Sequence, residues 1–353
     1  MQKKSEKPAK AVTGGKGQKR LASPTSTGGA GVTYEVRVQA SYLLAMFAGS
    51  PTAVLPDAAV VELRFQGRVH GYHTDDLICT LRLDDGSTLK ALLQVKLTLK
   101  AMPSDGPFSE SLIAAWYDYQ DCALFQRGRD RLVVVYSRDA DGSGIYIANN
   151  LAQFARTSLT GAEFVRKATT ERFSSKQQRG VFETIKAILT KELGAEPSSD
   201  ELHDFLRHLW LVPHALATDE TPEVASIFES IKLVLGAELG HNPRSIWALL
   251  TTACQSLNKG AASLSFANLD TLLSPRLAAA FAAHRGSPVA RLPFANLHAD
   301  PAAGVAAEPA FAPGARDDIR MLSVTPVRRL SGPVEEAGLS AGRFDSANRV
   351  ITG

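Results

Sequence analysis

The segment TDDLICTLRLDDGSTLKALLQVKLTLK, residues 74–100, contains two runs in which apolar residues alternate with other residues. Such alternation is typical of β-strands with one buried face. The Asp-Asp-Gly-Ser sequence between the runs predicts a tight turn, because Asp-Gly accepts the positive φ angles that hairpin turns need. In the second run Gln94 and Lys96 are two residues apart, so they project from one face. We predict a β-hairpin with polar side chains at its open end.

The residues on both sides of this hairpin predict an α/β domain over residues 31–160. Apolar spacing and β-branched runs predict further elements: helices over 34–47 and 109–126, strands over 58–66 and 130–137, and a helix near 150–159. This order predicts an α/β fold in which helices flank a mixed sheet.

Beyond residue 160 the pattern becomes helical, and we predict a separate all-α domain over residues 161–285. Its predicted helices cover residues 161–168, 174–194, 198–210, 221–237, 241–258 and 266–284. Residues 286–353 are rich in proline and alanine, and we predict that they form a linker, open to a further domain beyond Gly353.

The positive charge of the 353-residue chain is concentrated at its beginning. Residues 1–20 contain seven lysines and arginines and one glutamate, whereas the formal net charge of the whole chain is only +3. We predict a disordered basic tail over residues 1–30. Two roles remain open for it: keeping the protein in solution, or adding non-specific attraction to phosphate backbones.

Several classes of protein are excluded by the composition. No run of about 18 uncharged apolar residues is present, and no apolar core follows the N-terminal lysines, so we expect neither a membrane span nor a secretory signal. Three scattered cysteines form no CxxC pair: Cys79, Cys122 and Cys254. Neither a disulfide framework nor a zinc site is therefore expected, and a cytoplasmic location fits.

The histidines give no metal-site prediction. His70 and His73 lie in a glycine-rich turn and are interpreted as loop residues. His203 and His208 are five residues apart, which is the wrong spacing for one face of a helix.

The polar groups of the hairpin match the needs of metal-dependent phosphodiester hydrolysis. This chemistry requires oxygen ligands for Mg²⁺ or Mn²⁺ and a cation that steadies the attacking hydroxide and the developing charge. Asp76 at the mouth of one strand and Gln94 and Lys96 on the next are suitable. Glu35 is expected to approach from the first helix, although an acid in a first helical turn is favoured by the helix dipole in any case.

The turn geometry decides which aspartate faces the lysine. If Leu83 pairs with Thr88 across an unbulged turn, Asp75 lies opposite Lys96 and Asp76 points away. A bulge or a three-residue turn places Asp76 on the lysine face instead.

The order of these features resembles the PD-(D/E)xK nuclease superfamily. The likeness is closest to Mrr-like restriction nucleases and to the nuclease domains that front bacterial antiphage effectors, such as antiviral STAND NTPases and cyclic-oligonucleotide-activated endonucleases. It covers roughly residues 28–240 and depends on four stretches: GGAGVTYEVRVQASYLL (28–44), TDDLI (74–78), LLQVK (92–96), and SLIAAWYDYQ with the following DRLVVVYS (111–137). It implies a restriction-endonuclease-like sheet.

Carried over residue by residue, the resemblance gives each candidate a role. Asp76 would bind the metal ion, Lys96 would orient the nucleophile or stabilise charge, and Glu35 would assist in metal binding. These families place their acid directly before the apolar run, which favours Asp76 and leaves Asp75 as the alternative. Gln94 stands where the family usually has an acid, although Gln-x-Lys variants occur in the Mrr-like branch.

The resemblance implies a Mg²⁺- or Mn²⁺-dependent endonuclease that cleaves double-stranded DNA with little sequence specificity. It would be the effector part of an antiphage defence protein, a homo-oligomer controlled by an activating ligand or a phage protein. The alternative is a non-catalytic module with a degenerate nuclease site that binds nucleic acid or a protein partner.

Overall fold

A mixed β-sheet forms the centre of the protein. The computed structural model describes residues 29–52, 54–138, 144–235, 242–275 and 277–279. The strands are β1 (Pro51–Thr52), β2 (Leu55–Phe65), β3 (Leu77–Leu83), β4 (Thr88–Lys96), β5 (Arg131–Ser137), β6 (Leu209–His214) and β7 (Ser263–Ser265). Strands β1 to β6 lie side by side in chain order, and β7 pairs with β2. Pairing is antiparallel from β1 to β4 and parallel from β4 to β6.

Helices flank this sheet on both sides, so the predicted α/β class is confirmed. They are α1 (Gly29–Ala48), α2 (Gly106–Gln120), α3 (Ile145–Arg156), α4 (Gly161–Thr169), α5 (Lys176–Leu193), α6 (Ser199–His208), α7 (Pro222–Leu235), α8 (Pro243–Lys259) and α9 (Leu269–Leu272). A short 3₁₀ turn, Gly67–His70, lies between β2 and β3. In the part of the chain that the structure describes, none of the helices has the length and apolarity needed to cross a membrane.

The alternation along the hairpin divides the core into two apolar layers. Leu77 and Leu93 belong to the layer that contacts α1, α7 and α8. Ile78 and Leu92, one residue along each strand, belong to the opposite layer, which α2, α3, α5 and α6 cover. Because successive side chains of a strand alternate in direction, the residues next to an apolar residue of one layer face the other layer.

A three-residue turn sets the register of the hairpin. The backbone N–H of Leu83 donates to the carbonyl of Ser87 at 2.9 Å, which encloses residues 84–86. Gly86 has a φ of 81°, a conformation that residues with a side chain rarely adopt. Leu77 consequently pairs with Leu93, one position away from the register of an unbulged turn. Of the two predicted registers, the structure has the one with the three-residue turn, which is one residue shorter than the turn that a Leu83–Thr88 pair would enclose.

The structure corrects the domain boundary predicted near residue 160. Most of the region that follows is helical, as expected, but β6 pairs with β5 and β7 pairs with β2. The described residues accordingly fall in one compact unit. The helix predicted over residues 198–210 ends at His208, because the apolar run after it forms β6. The tail before residue 29 and the linker over 286–353 lie outside the described residues.

Candidate active site

The open end of the hairpin brings Asp76 and Gln94 together. Asp76 directly precedes β3, and the register places it across from Gln94 on β4. The Gln94 Nε2 donates to Asp76 Oδ2 at 2.7 Å, and the backbone N–H of Val95 donates to the same oxygen at 2.5 Å. The Asp76 carboxylate is therefore fixed by both the side chain and the backbone of the neighbouring strand.

Lys96 projects from the same face of β4 as Gln94. Two residues separate them along a continuous strand, so their side chains share one side of the sheet. Burial raises the pKa of both Asp76 and Glu35, and the charge of the Lys96 ammonium partly opposes this rise in each case. The structure thus brings Asp76 and Gln94 into contact and places Lys96 on the same face of β4 as Gln94.

Asp75 takes a different direction from Asp76. Its Oδ2 lies 3.6 Å from the Arg68 Nε in the preceding loop, and its side chain is 30% exposed. Its backbone N–H donates to Gln94 Oε1 at 3.4 Å. The side chain of Asp75 thus pairs with an arginine at the surface, whereas Asp76 turns toward β4.

Glu35 approaches the hairpin from α1. Its Oε1 accepts hydrogen bonds from Gln39 Nε2 and from Asn258 Nδ2, each at 3.0 Å. The Gln39 Nε2 also lies 3.2 Å from the backbone carbonyl of Asp76, which ties α1 to the start of β3. Because α1 begins at Gly29, Glu35 lies in its second turn. The predicted first-turn position is wrong, so the helix dipole does not account for an acid here.

The two carboxylates are held in an environment that resists their ionisation. Burial raises the pKa of Asp76 well above its usual range, and the charge of Glu35 raises it further. Burial also raises the pKa of Glu35, against the hydrogen bonds from Asn258 and Gln39 that favour the charged form. Neighbouring acids in a low-dielectric site repel each other, and a bound divalent cation would remove that repulsion.

The donor atoms of the site suit a hard cation. The carboxylates of Asp76 and Glu35 and the amide of Gln94 offer only oxygen ligands, which Mg²⁺ and Mn²⁺ prefer. Mg²⁺ retains several waters, so one or two carboxylates are sufficient for binding. Among the described residues no three His, Cys, Asp or Glu side chains are arranged to hold a metal ion. Gln94 turns its Nε2 toward Asp76, so its amide must rotate before Oε1 can share a cation with that carboxylate.

Asp118 on α2 holds the loop before β3 in place, a role that no sequence pattern predicted. Its buried carboxylate accepts the backbone N–H groups of His73 at 2.6 Å and Thr74 at 2.8 Å. Gly67 is required in the same loop, since a Cβ there would lie 2.2 Å from the carbonyl oxygen of Thr74. An acid among the apolar residues of AAWYDYQ was the only local signal for this anchor.

His73 and His203, which we did not predict as metal ligands, have other contacts in the structure. His73 is exposed and packs on the ring of Tyr117 at 5.0 Å. His203 is buried, and its Nε2 lies 2.9 Å from the carbonyl of Ala155. Gln39 and Asn258, by contrast, belong to the site although nothing in their local sequence marks them.

No protein-family model matches this chain, and neither the curated proteins nor the solved structures compared with it give a match. The resemblance to PD-(D/E)xK nucleases therefore stays a prediction that depends on the motifs and on the side-chain arrangement described above.

Proposed function

We propose that this chain is a metal-dependent endonuclease that cleaves double-stranded DNA with little sequence specificity. The observation that carries the proposal is the position of Asp76, Gln94 and Lys96 on one side of a rigid hairpin, with Glu35 joined to it through Gln39. The order of these residues along the chain is the order in which the PD-(D/E)xK superfamily presents its acids and lysine.

Each side chain of the site would have its own role in phosphodiester hydrolysis. Asp76 and Glu35 would hold Mg²⁺ or Mn²⁺, with Gln94 as a weaker neutral ligand. The bound cation would supply Lewis acidity and lower the pKa of a water molecule. The Lys96 ammonium would orient the attacking water and stabilise the negative charge that develops on the phosphate. The backbone N–H of Val95 would keep the Asp76 carboxylate in position when the Gln94 amide rotates toward the cation.

The biological setting is proposed from the resemblance alone. A nuclease without sequence readout endangers its own host, so we propose control by assembly into a homo-oligomer on an activating ligand or a phage protein. The chain would then act as the effector part of an antiphage defence protein.

Plasmid cleavage by Lys96→Ala tests the proposed role of the lysine. With Mg²⁺ or Mn²⁺ present, the parent protein should degrade the plasmid, and Lys96→Ala should be slower by roughly 100-fold or more, as for the loss of one charge-stabilising donor. Lys191→Ala is the matched control, because Lys191 is an exposed lysine on α5. Equal cleavage by Lys96→Ala and the parent would contradict the assignment.

One observation favours a second function, a non-catalytic module that binds nucleic acid. The Gln94 Nε2 donates to the Asp76 carboxylate, so Gln94 Oε1 is turned away from the place where it could share a cation with that carboxylate. In that case the parent protein should shift DNA in a gel with EDTA present and leave a plasmid intact with Mn²⁺. Cleavage by the parent that depends on Lys96 would exclude this alternative.

A further inference from the structure

Helices α1 and α8 meet through a largely apolar interface that also contains the amide side chains of Gln39 and Asn258. The α8 side of the interface is built from buried apolar residues: Ile246, Trp247, Leu250, Cys254 and Leu257. At the end of α8, Asn258 and Gln39 form two reciprocal amide hydrogen bonds. The Gln39 Nε2 donates to Asn258 Oδ1 at 3.1 Å, and the Asn258 Nδ2 donates to Gln39 Oε1 at 2.9 Å.

This amide pair points at the Glu35 carboxylate. Both amide nitrogens also lie 3.0 Å from Glu35 Oε1. Asn258 is 223 residues from Glu35 along the chain, so the contact exists only when α8 is docked on α1. Gln39 is fully buried and extends the same network to the backbone carbonyl of Asp76.

We propose that Asn258 is a positioning residue that holds Glu35 in the metal-binding arrangement, so that α8 completes the active site. The inference rests on the proposed nuclease function and adds a residue and an element to it. Asn258 acts through Glu35 and has no contact with substrate in this account.

The amide groups of Gln39 and Asn258 are better suited to positioning the Glu35 carboxylate than to stabilising the fold alone. An arginine or lysine at this place would also hold the carboxylate, but its charge would compete with a cation for Glu35. Amides hold the carboxylate by hydrogen bonds and leave its negative charge available. The hydrogen bonds described for Glu35 go to Oε1, which leaves Oε2 for a metal ion.

A change in the position of α8 would therefore change the position of the Glu35 carboxylate. Loss of the Asn258 Nδ2 donor removes one of the two groups that fix Glu35 and one partner of the buried Gln39 amide. Groups that orient metal ligands in this way commonly contribute 10- to 100-fold to metal affinity or activity.

The test compares Mn²⁺ affinity, measured by electron paramagnetic resonance of the free ion, in variants of the full chain. Asn258→Ala removes the amide, and Asn258→Leu removes it while filling a similar volume. Both should bind Mn²⁺ roughly 10- to 100-fold more weakly than the parent and need correspondingly more Mn²⁺ for half-maximal plasmid cleavage. Gln255→Ala is the matched control, because it removes an exposed amide from the same helix and should leave the Mn²⁺ affinity unchanged.

A double-mutant cycle separates positioning from a merely structural role. If Asn258 acts through Glu35, Asn258→Ala should have little further effect on Mn²⁺ affinity in a Glu35→Ala background. An equal loss in both backgrounds, or parental Mn²⁺ affinity in both Asn258 variants, would overturn the inference while leaving the nuclease proposal intact. A parent protein that neither binds Mn²⁺ nor cleaves DNA would overturn the nuclease proposal itself and this inference with it.

Discussion

Two aspartates fix the segment that leads into β3, and their surroundings differ. Asp118 is fully buried on α2, and its carboxylate accepts two backbone N–H groups of the loop. Asp76 accepts hydrogen bonds from β4 but also lies beside a second carboxylate, so its pKa is raised well above the usual range by burial and by Glu35. The hydrogen-bond donors around Asp118 stabilise its carboxylate and the loop. The repulsion between Asp76 and Glu35 instead destabilises the fold when no metal ion is bound. We therefore propose that Asp118 serves stability and that Asp76 serves function.

The largest effect is expected for Asp76→Asn, and it should fall on activity. The substitution removes the charge that a divalent cation needs, so plasmid cleavage should fall by at least about 100-fold. The metal-free protein should be as stable as the parent or more stable, by about 1 kcal/mol, because one of two neighbouring carboxylates is gone. Urea unfolding in EDTA measures the stability. A large loss of stability would place Asp76 in the same class as Asp118.

The stability gain of Asp76→Asn should depend on pH. Because the folded-state pKa of Asp76 is raised, its ionised form disfavours the folded state at neutral pH. As the pH falls below that raised pKa, the folded state takes up a proton before the unfolded state does, so the penalty shrinks and disappears only below the ordinary pKa of an unfolded aspartate. The difference in unfolding free energy between Asp76→Asn and the parent should therefore shrink as the pH is lowered. A difference that grows toward acid pH would contradict the raised pKa.

The next largest effect is expected for Asp118→Ala, and it should fall on stability. Two backbone N–H groups, of which that of Thr74 is buried, lose a charged acceptor, which costs about 2–4 kcal/mol of unfolding free energy. Asp118→Asn keeps one acceptor oxygen and should lose less. Both are measured by urea unfolding. Unfolding of Asp118→Ala at the same urea concentration as the parent would contradict the structural role of Asp118.

The smallest effect is expected for Gly86→Ala in the hairpin turn. Its positive φ makes alanine unfavourable by about 1 kcal/mol. If the register is held by the whole hairpin, the variant should keep its Lys96-dependent cleavage while melting at a lower temperature. Thermal unfolding and plasmid cleavage of one preparation measure both quantities. Loss of cleavage by Gly86→Ala without a change in melting temperature would show that the turn alone determines the register of the site residues.

The sequence predicted the elements whose signals are local. The alternation in residues 77–83 and 88–96 and the apolar spacing of α1 and α2 identify the type of each element, although α1 begins five residues earlier and α2 ends six residues earlier than predicted. Strands β6 and β7 could not be identified in the same way, because they are short and pair with strands far along the chain. The run at Leu209 follows a helix without a break, so helical spacing appeared to continue through it.

The candidate site was predictable only in part for a similar reason. Asp76, Gln94 and Lys96 belong to one hairpin, so their grouping followed from alternation once the turn length was known. That length was not determined by Asp-Asp-Gly-Ser, which allowed either aspartate to face the lysine. Gln39 and Asn258 meet only through the docking of α8 on α1, and no local pattern marks them.

Calorimetric titration of Mn²⁺ tests the central claim, that Asp76 and its neighbours form a cation site, most directly. Mn²⁺ should bind saturably to the parent protein and to Asp118→Asn, and this binding should be lost in Asp76→Asn. Absence of binding to the parent, or unchanged binding to Asp76→Asn, would contradict the claim.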